Sequence, residues 1–267
     1  RVLREVVAPV VRQARAELPL RGWFFLRYAD PDFHIRLRFR TDPRAVPRLV
    51  ELLGAAAAPA VASGRLARLV YDTYLPEVER YGGPEAIGIA EAVFSRDSDA
   101  ALALVADDEA SALREAPRDL AALAGIDRLH ADAEMALDDR ISLLERVLGD
   151  VPAAVRQTRS MEFRQCRAAV TRMLGEGEDD ASRAVAALLA ARSAGLRPLL
   201  ARLRALESAG ELQTPFENVL LSLSHMWVNR TVADGAAIEP LLYDRLYRAY
   251  RGLAGRARAA SAAGWTG

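Results

Sequence analysis

Strict alternation of apolar and polar positions predicts a β-strand over residues 32–40, which read DFHIRLRFR. Successive side chains of a strand point to opposite faces, so one face of this strand is wholly apolar. That face consists of Phe33, Ile35, Leu37 and Phe39. The opposite face carries four basic side chains in a row, namely His34, Arg36, Arg38 and Arg40. Like charges a few ångströms apart repel each other, so this face needs an explanation of its own.

The segments around this strand predict a hairpin and a small sheet. Residues 23–28, WFFLRY, form a second strand, and the Asp-Pro turn at 29–32 joins the two strands. Residues 66–83 begin as a further strand, break at Pro76 and end in a glycine pair. The sheet is therefore expected to lie within the N-terminal third of the chain.

Helical periodicity dominates the rest of the chain, with a polar loop predicted at 175–180. Helices are expected to about residue 17 and over residues 43–62, 84–105, 107–124, 131–148, 152–175, 180–208, 215–233 and 237–259. The layout predicts an α+β fold, in which a small, mostly antiparallel sheet packs against a large helical remainder. No linker or repeat divides the chain, so we expect one domain over residues 1–267.

Composition removes several classes of function. The chain of 267 residues is 51% hydrophobic and 27% charged, with zero formal net charge and a pI near 7.1. Such a balance does not favour bulk attraction to nucleic acids or membranes. No apolar run reaches transmembrane length, and the amphipathic N-terminus does not read as a signal peptide. We therefore expect a cytoplasmic protein with no membrane association, and a trimmed one because it begins with Arg1 and not Met.

Cysteine and histidine are too scarce for the commonest disulfide and metal sites. Cys166 is the single cysteine, which excludes an internal disulfide and a thiolate zinc site. His34, His130 and His225 lie far apart and show no metal-ligand spacing. The sequence therefore predicts no metal site.

A late helix combines an apolar surface with one narrow polar stripe. Residues 214–217 read as a capping box, with Thr214 as N-cap, Pro215 at the first helical position and Glu217 at the third. The helix beyond them is apolar almost all round, which predicts burial. Its polar stripe consists of Asn218, Ser222, His225 and Asn229. A buried stripe needs other side chains, water or a ligand as partners, so His225 is either a satisfied core histidine or a functional one.

The basic face of the strand also has two interpretations. It is either a solvated sheet surface or an anion pocket, because planar guanidinium groups match carboxylates in two-point geometry. A bound anion would relieve the repulsion between the arginines. Arg80, in ERYGG, is a further candidate, since it lies beside a tight glycine turn where the backbone can approach a ligand. Glu77 and Glu79 are interpreted as its ion-pair partners.

Three motifs together resemble a known family. They are WFFLRYADPDFHIRLRF, YLPEVERYGG and SHMWVNR, in this order between about residues 20 and 232. The chain is similar to the C-terminal domain of lantibiotic dehydratases, which also occurs as a stand-alone thiopeptide-type bacteriocin biosynthesis protein. The resemblance implies a lyase without a metal or organic cofactor. Such a lyase eliminates glutamate from glutamylated Ser or Thr of a ribosomally made precursor peptide, leaving dehydroalanine or dehydrobutyrine.

The family's motif positions imply a site and partners. Catalytic roles fall on Arg36, Arg38, Arg80 and His225. Substrate contacts are expected from the neighbouring His34, Tyr81, Ser222 and Asn229. The chain is too short to include the glutamylating domain. The resemblance therefore implies two partners, a precursor peptide with its leader and a separate glutamyl-tRNA-dependent glutamylation protein, without direct binding of nucleic acid.

Three other functions stay open at this level. Pyridine synthases of thiopeptide pathways resemble the same family, and they join two dehydroalanines in a formal cycloaddition and release the leader. A non-catalytic module that binds the precursor or a partner enzyme would be a different class of protein. Nucleic-acid binding through the arginine strand would show a steep loss of affinity with salt.

Overall fold

The N-terminal hairpin forms as predicted. The computed structural model describes residues 1–106, 112–150, 152–175 and 179–263. Strand β1 (Gly22–Tyr28) pairs antiparallel with strand β2 (His34–Arg40), with Phe24 opposite Arg38 and Tyr28 opposite His34. Helices make up most of the remainder, so the predicted α+β fold with a small antiparallel sheet is confirmed.

The prediction that Phe33 faces the core is wrong. Its side chain is 88% exposed. Strand β2 begins one residue later, at His34, so Phe33 belongs to the connecting turn, where alternation no longer fixes which way a side chain points.

Both faces of the hairpin are covered by other parts of the chain. The face toward the main core carries Trp23, Phe25, Ile35, Leu37 and Phe39. On the second face, the Phe24 ring meets Phe94 at 5.3 Å and Tyr74 at 5.9 Å between centroids. Arg36 and Arg38 share this second face and are half-buried. The basic face is therefore not simply a solvated sheet surface.

Ten α-helices are present in the part of the chain that the structure describes. They are α1 (Ala8–Glu17), α2 (Val46–Ala62), α3 (Pro84–Ala106), α4 (Ala112–Glu115), α5 (Arg118–Asp132), α6 (Leu137–Leu148), α7 (Ala153–Leu174), α8 (Asp180–Ser208), α9 (Phe216–Thr231) and α10 (Gly235–Ala263). A π-helical turn, Leu3–Val7, precedes α1, and 3₁₀ turns lie at Pro43–Ala45 and Glu79–Tyr81. Helices α3 and α9 both pack on β1, which places the late polar helix beside the hairpin.

Side chains satisfy the edge of β1 that faces away from β2. Ser95 Oγ accepts from the Trp23 N–H at 3.4 Å, and Ser98 Oγ accepts from the Phe25 N–H at 3.1 Å. Both serines belong to α3. Unpaired backbone groups at a buried edge cost free energy, so these bonds fix α3 along the strand.

The strand predicted at the start of residues 66–83 does not form. Residues 66–77 form neither strand nor helix, and Val70 and Leu75 are 64% and 81% exposed. The Tyr71 hydroxyl donates to the Val50 carbonyl at 3.1 Å. Residues of high strand propensity form a strand only when they can pair with a sheet edge and pack on a core. Val70 and Leu75 pack on no core among the described residues, so their propensity alone does not produce a strand.

Two helix boundaries also differ from the prediction. The helix expected over 107–124 is divided into α4 and α5, because Pro117 disfavours helical backbone at the residue before it. Residues 107–111 of that prediction lie outside the described residues, as do residues 176–178 of the predicted loop. Helix α5 continues to Asp132, and the chain then turns at Glu134, whose φ is 56°, before α6 begins.

Among the described residues, two helices are long and apolar enough to cross a membrane by length and composition, contrary to the expectation from the sequence. They are Pro43–Ala62 and Asp180–Ser208, with 28% and 33% of the apolar window buried. Core helices pass the same test, and Arg192 of the second helix is buried against Asp97 at 2.8 Å. The test is therefore weak support for a membrane span, and the absence of membrane association stays a prediction.

His130 gives the fold a predicted sensitivity to acid. It is fully buried in α5, and neither ring nitrogen has a hydrogen-bond partner within the described residues. Burial, followed by the charge of Arg140, lowers the pKa of His130 from 6.5 to about 3. Below about pH 6.5 the unfolded chain binds a proton here that the folded chain does not, so stability falls as the pH falls toward 3.

We expect this one residue to cost on the order of 2 kcal/mol of unfolding free energy between pH 7 and pH 5. Urea unfolding at the two pH values measures the loss. A His130→Leu variant should show a shallower dependence on pH, and equal slopes in the two proteins would contradict the assignment.

Candidate functional site

A glycine turn joins the hairpin side of the molecule to the start of α9. Gly82 and Gly83 both have φ of 98°, a backbone region that favours glycine. The Gln213 N–H donates to the Gly82 carbonyl at 3.0 Å, and the Thr214 hydroxyl donates to the Glu79 carbonyl at 2.6 Å. The motif YGG therefore anchors the preceding residue, Arg80, against the late helix.

The predicted capping box is wrong. No side chain caps α9 from within the motif, because Thr214 uses its hydroxyl on the glycine turn instead. Glu207, at the end of α8, accepts from the Phe216 N–H at 2.9 Å. Glu217 is paired with Arg146. The local pattern does not predict the cap correctly, because Thr214 and Glu217 both bond residues that are distant in the sequence.

Arg80 connects the glycine turn to the polar stripe. Its Nε donates to Ser222 Oγ at 3.4 Å, and its Nη1 lies 2.9 Å from Glu77 Oε2, which confirms Glu77 as an ion-pair partner. Burial opposes the charge of Arg80. The hydrogen bond to Glu77 and the charge of that carboxylate favour the charged form and raise the pKa of Arg80. Arg80 therefore stays charged beside the stripe.

Tyr28, at the end of β1, orders the first half of the basic face. Its ring stacks on His34 at 5.4 Å between centroids, and the Arg36 guanidinium lies 3.7 Å from its centroid. Arg36 Nε donates to His34 Nε2 at 3.1 Å, and His34 Nδ1 lies 2.8 Å from the Asp32 carbonyl. The tautomer of His34 with its proton on Nδ1 satisfies both contacts. Tyr28 thus holds His34 and Arg36 together on the basic face.

Arg38 has unused hydrogen-bonding capacity. Its guanidinium lies 5.0 Å from the centroid of Tyr74, and its Nη1 donates to the Leu37 carbonyl at 3.0 Å. Its Nε is buried and has no partner within the described residues. Buried donors are nearly always hydrogen-bonded in folded proteins. An unpaired donor on a basic face therefore suggests that a ligand supplies the acceptor.

His225 lies one helical turn beyond Ser222 and is half-buried. Its Nδ1 is 2.5 Å from Glu239 Oε2, and the Tyr243 hydroxyl donates to Glu239 Oε1 at 2.7 Å. Sequence reasoning missed Glu239 and Tyr243, which lie on α10. Their i, i+4 spacing was visible, but no local pattern indicates that α10 crosses α9 at His225.

The remaining two predicted contacts have structural partners. Asn229 Oδ1 accepts from the Arg27 N–H at 2.9 Å, and its Nδ2 donates to the Arg27 carbonyl at 2.8 Å. Tyr81 is buried with its ring edge-on to Phe94 at 4.9 Å, and burial raises its pKa to about 12. Asn229 thus fastens α9 to β1, and Tyr81 stays neutral; their contact with substrate stays a prediction.

The site is a basic surface with two histidines, His34 and His225, and no metal cluster among the described residues. Within the described ranges, no three His, Cys, Asp or Glu side chains lie close enough to hold a metal ion. A cavity of about 520 Å³ lies elsewhere, with Asp132, Arg197 and Arg204 in its wall. Those arginines already bond the Asp132 carboxylate and the Ala133 carbonyl, so the cavity offers less free positive charge than the hairpin face.

A sequence model described as "Lantibiotic biosynthesis dehydratase C-term" matches residues 1–250. The chain belongs to this family. Subtilin biosynthesis protein SpaB of Bacillus subtilis is a relative, 26% identical over 144 residues, which are 52% of this chain and 13% of SpaB. The match between this family member and SpaB thus covers a small part of the length of SpaB.

Solved structures agree on the fold of this family member. The tRNA-dependent lantibiotic dehydratase MibB from Microbispora sp. 107891 superposes with a TM-score of 0.76 and 22% identity, over 96% of this chain and 27% of MibB. TsrL superposes with a TM-score of 0.63 and 17% identity, covering 94% of this chain and 90% of TsrL. The pyridine synthase TbtD, from thiomuracin biosynthesis, superposes with a TM-score of 0.65 and 15% identity, covering 95% of this chain and 94% of TbtD.

Proposed function

We propose that this domain eliminates glutamate from glutamylated Ser or Thr residues of a ribosomally made precursor peptide, leaving dehydroalanine or dehydrobutyrine. One observation carries the proposal. Arg80 donates to Ser222, one turn before His225, and α9 packs on β1 of the hairpin that carries the half-buried Arg36 and Arg38. This arrangement supports a site that holds a carboxylate-rich leaving group beside a base. Membership of the lantibiotic dehydratase C-terminal family supports the same reaction class.

The arginines suit the leaving group. Esterified glutamate carries one free carboxylate, and a second carboxylate appears as the ester leaves. Arg36 is held in place by His34 and Tyr28. The buried Nε of Arg38 has no hydrogen-bond partner among the described residues, so it can donate to a carboxylate. Guanidinium groups that are fixed before binding lose little freedom when they bind a carboxylate through paired hydrogen bonds. In this proposal, Arg36 and Arg38 hold the glutamyl group.

His225 suits the proton transfer. In the proposed step, its Nε2 takes the α-proton of the acylated residue. The electrons of the Cα–H bond form the Cα=Cβ double bond, the Cβ–O bond breaks, and glutamate departs as a carboxylate. The α-proton is weakly acidic, so charge that develops on the adjacent peptide carbonyl requires a cation close by. In this proposal Arg80 supplies that cation, because it donates to Ser222 on the same stripe as His225.

The proposal implies two partners. A separate protein would attach glutamate from glutamyl-tRNA, and the precursor peptide would bring its leader. Both partners follow from the chemistry of the proposed reaction, which needs a glutamylated peptide as its substrate. We propose a cytoplasmic setting, where glutamyl-tRNA is made.

A formal cycloaddition is the second candidate. TbtD, a pyridine synthase, matches this chain over 94% of its own length, whereas MibB matches over 27%. The fold shared with TbtD keeps cycloaddition as the second candidate. The hairpin arginines, Arg80 and His225, with their carboxylate-binding and base chemistry, favour elimination.

Two peptides separate the candidates. The protein is incubated in parallel with a peptide carrying glutamylated Ser and with a peptide carrying two dehydroalanines and its leader, and both products are measured by mass spectrometry. We expect loss of glutamic acid from the first peptide and no change in the second. Release of the leader from the second peptide, with the first unchanged, would replace elimination by cycloaddition. No change in either would favour a binding module.

A further inference from the structure

Glu239 and Tyr243 form a chain of hydrogen bonds with His225, the histidine of the proposed site. Glu239 divides its two oxygens between two partners, with Oε2 at 2.5 Å from His225 Nδ1 and Oε1 accepting from Tyr243 at 2.7 Å. The Glu239 side chain is 13% exposed and that of His225 is 34% exposed. The Glu239 carboxylate is therefore sheltered, whereas the His225 side chain stays partly accessible.

The contact decides which ring nitrogen can react. An ionised carboxylate only accepts hydrogen bonds, so a bond to Glu239 requires a proton on His225 Nδ1. A neutral imidazole with its proton on Nδ1 has its lone pair on Nε2. When Nε2 takes a second proton, the adjacent carboxylate stabilises the imidazolium that forms. The Tyr243 hydroxyl donates to the other oxygen and holds the carboxylate at its angle.

We propose that Glu239 is the positioning residue for His225: it fixes the tautomer that leaves Nε2 as the base, and Tyr243 holds Glu239 in place. This inference rests on the proposed elimination for its catalytic consequence. The tautomer itself is a property of the folded protein and is measurable without any substrate.

The tautomer is tested by nitrogen NMR on protein labelled with ¹⁵N in histidine, with the His225 signals assigned by their loss in His225→Ala. We expect the wild-type His225 ring to carry its proton on Nδ1, and Glu239→Gln to lose this preference. A wild-type His225 with its proton on Nε2 would overturn the proposal. This result stands whether or not the protein eliminates glutamate, so failure of the proposed function would not be mistaken for failure of the positioning role.

Kinetics test the consequence. We expect Glu239→Gln to lower kcat for glutamate elimination by about 10- to 100-fold with little change in KM, because the substrate does not contact Glu239. Tyr243→Phe should lower kcat less. A wild-type kcat in Glu239→Gln would overturn the positioning role.

The chain offers a matched control. Glu145 Oε1 accepts from the hydroxyl of Tyr247, also on α10, at 2.7 Å, and no histidine contacts it. Glu145→Gln replaces the carboxylate by an amide in the same kind of Glu–Tyr contact, so we expect its kcat to equal that of the wild type. An equal loss in both variants would assign the effect to general loosening of α10 and overturn the proposal.

Discussion

Replacing His225 by Ala is expected to leave a glutamylated peptide unprocessed. General-base catalysis contributes about 10²- to 10⁴-fold to a rate, so we expect kcat for elimination to fall by about 10³-fold. The side chain is half-buried at the surface of α9, so its removal should change stability little. Mass spectrometry of the peptide over time measures the rate, and thermal unfolding shows whether the variant is folded.

Added imidazole distinguishes a lost base from a disturbed site. A small base that diffuses into the space left by the His225 ring should restore part of the elimination rate in His225→Ala. Full elimination by the variant without imidazole would rule out the base role.

Removal of Asp97 is expected to destabilise the fold strongly. Asp97 Oδ1 lies 2.8 Å from Arg192 Nε, and both side chains are fully buried. Arg230 is also fully buried; its Nε donates to Ser98 Oγ at 3.1 Å, and burial lowers its pKa to about 10 despite the opposing charge of Asp97. Asp97→Ala would leave two buried guanidinium groups without their carboxylate. We expect a loss of about 3 to 5 kcal/mol in the free energy of unfolding, measured by urea titration.

An exposed ion pair provides the comparison. Glu51 lies 3.0 Å from Arg48, with the two side chains 65% and 48% exposed. Glu51→Ala should cost less than about 1 kcal/mol, because solvent screens such pairs. Losses of equal size in the two variants would show that the buried network contributes no more than a surface pair.

The hairpin and the polar stripe were the parts most readily predicted from the sequence. Alternation over residues 32–40 predicts which side of β2 carries the arginines, and the i, i+4, i+7 spacing places Ser222 and His225 on one side of α9. Both patterns depend only on local backbone geometry, which fixes the direction of side chains within one element. The motif ERYGG likewise indicates a tight turn, and the structure has both glycines at positive φ.

Contacts between distant elements were not predictable. Glu239 meets His225 because α10 crosses α9, and Asn229 is used by the backbone of Arg27, 202 residues away in sequence. Thr214 stands at the position where the sequence predicts the N-cap of α9, but its hydroxyl bonds the glycine turn instead. In each case a long-range partner outweighs the local preference of a polar side chain. The failed strand within 66–78 has the same cause, since strand propensity needs a partner edge.

The most direct test of the account uses one glutamylated Ser peptide that carries deuterium at the Ser α-carbon, incubated with the protein alone. The account predicts loss of glutamic acid, loss of the deuterium and appearance of dehydroalanine, with the reaction slowed relative to the unlabelled peptide wherever proton removal limits the rate. Release of glutamate that regenerates Ser with its deuterium retained would be hydrolysis. That result would contradict elimination at this site.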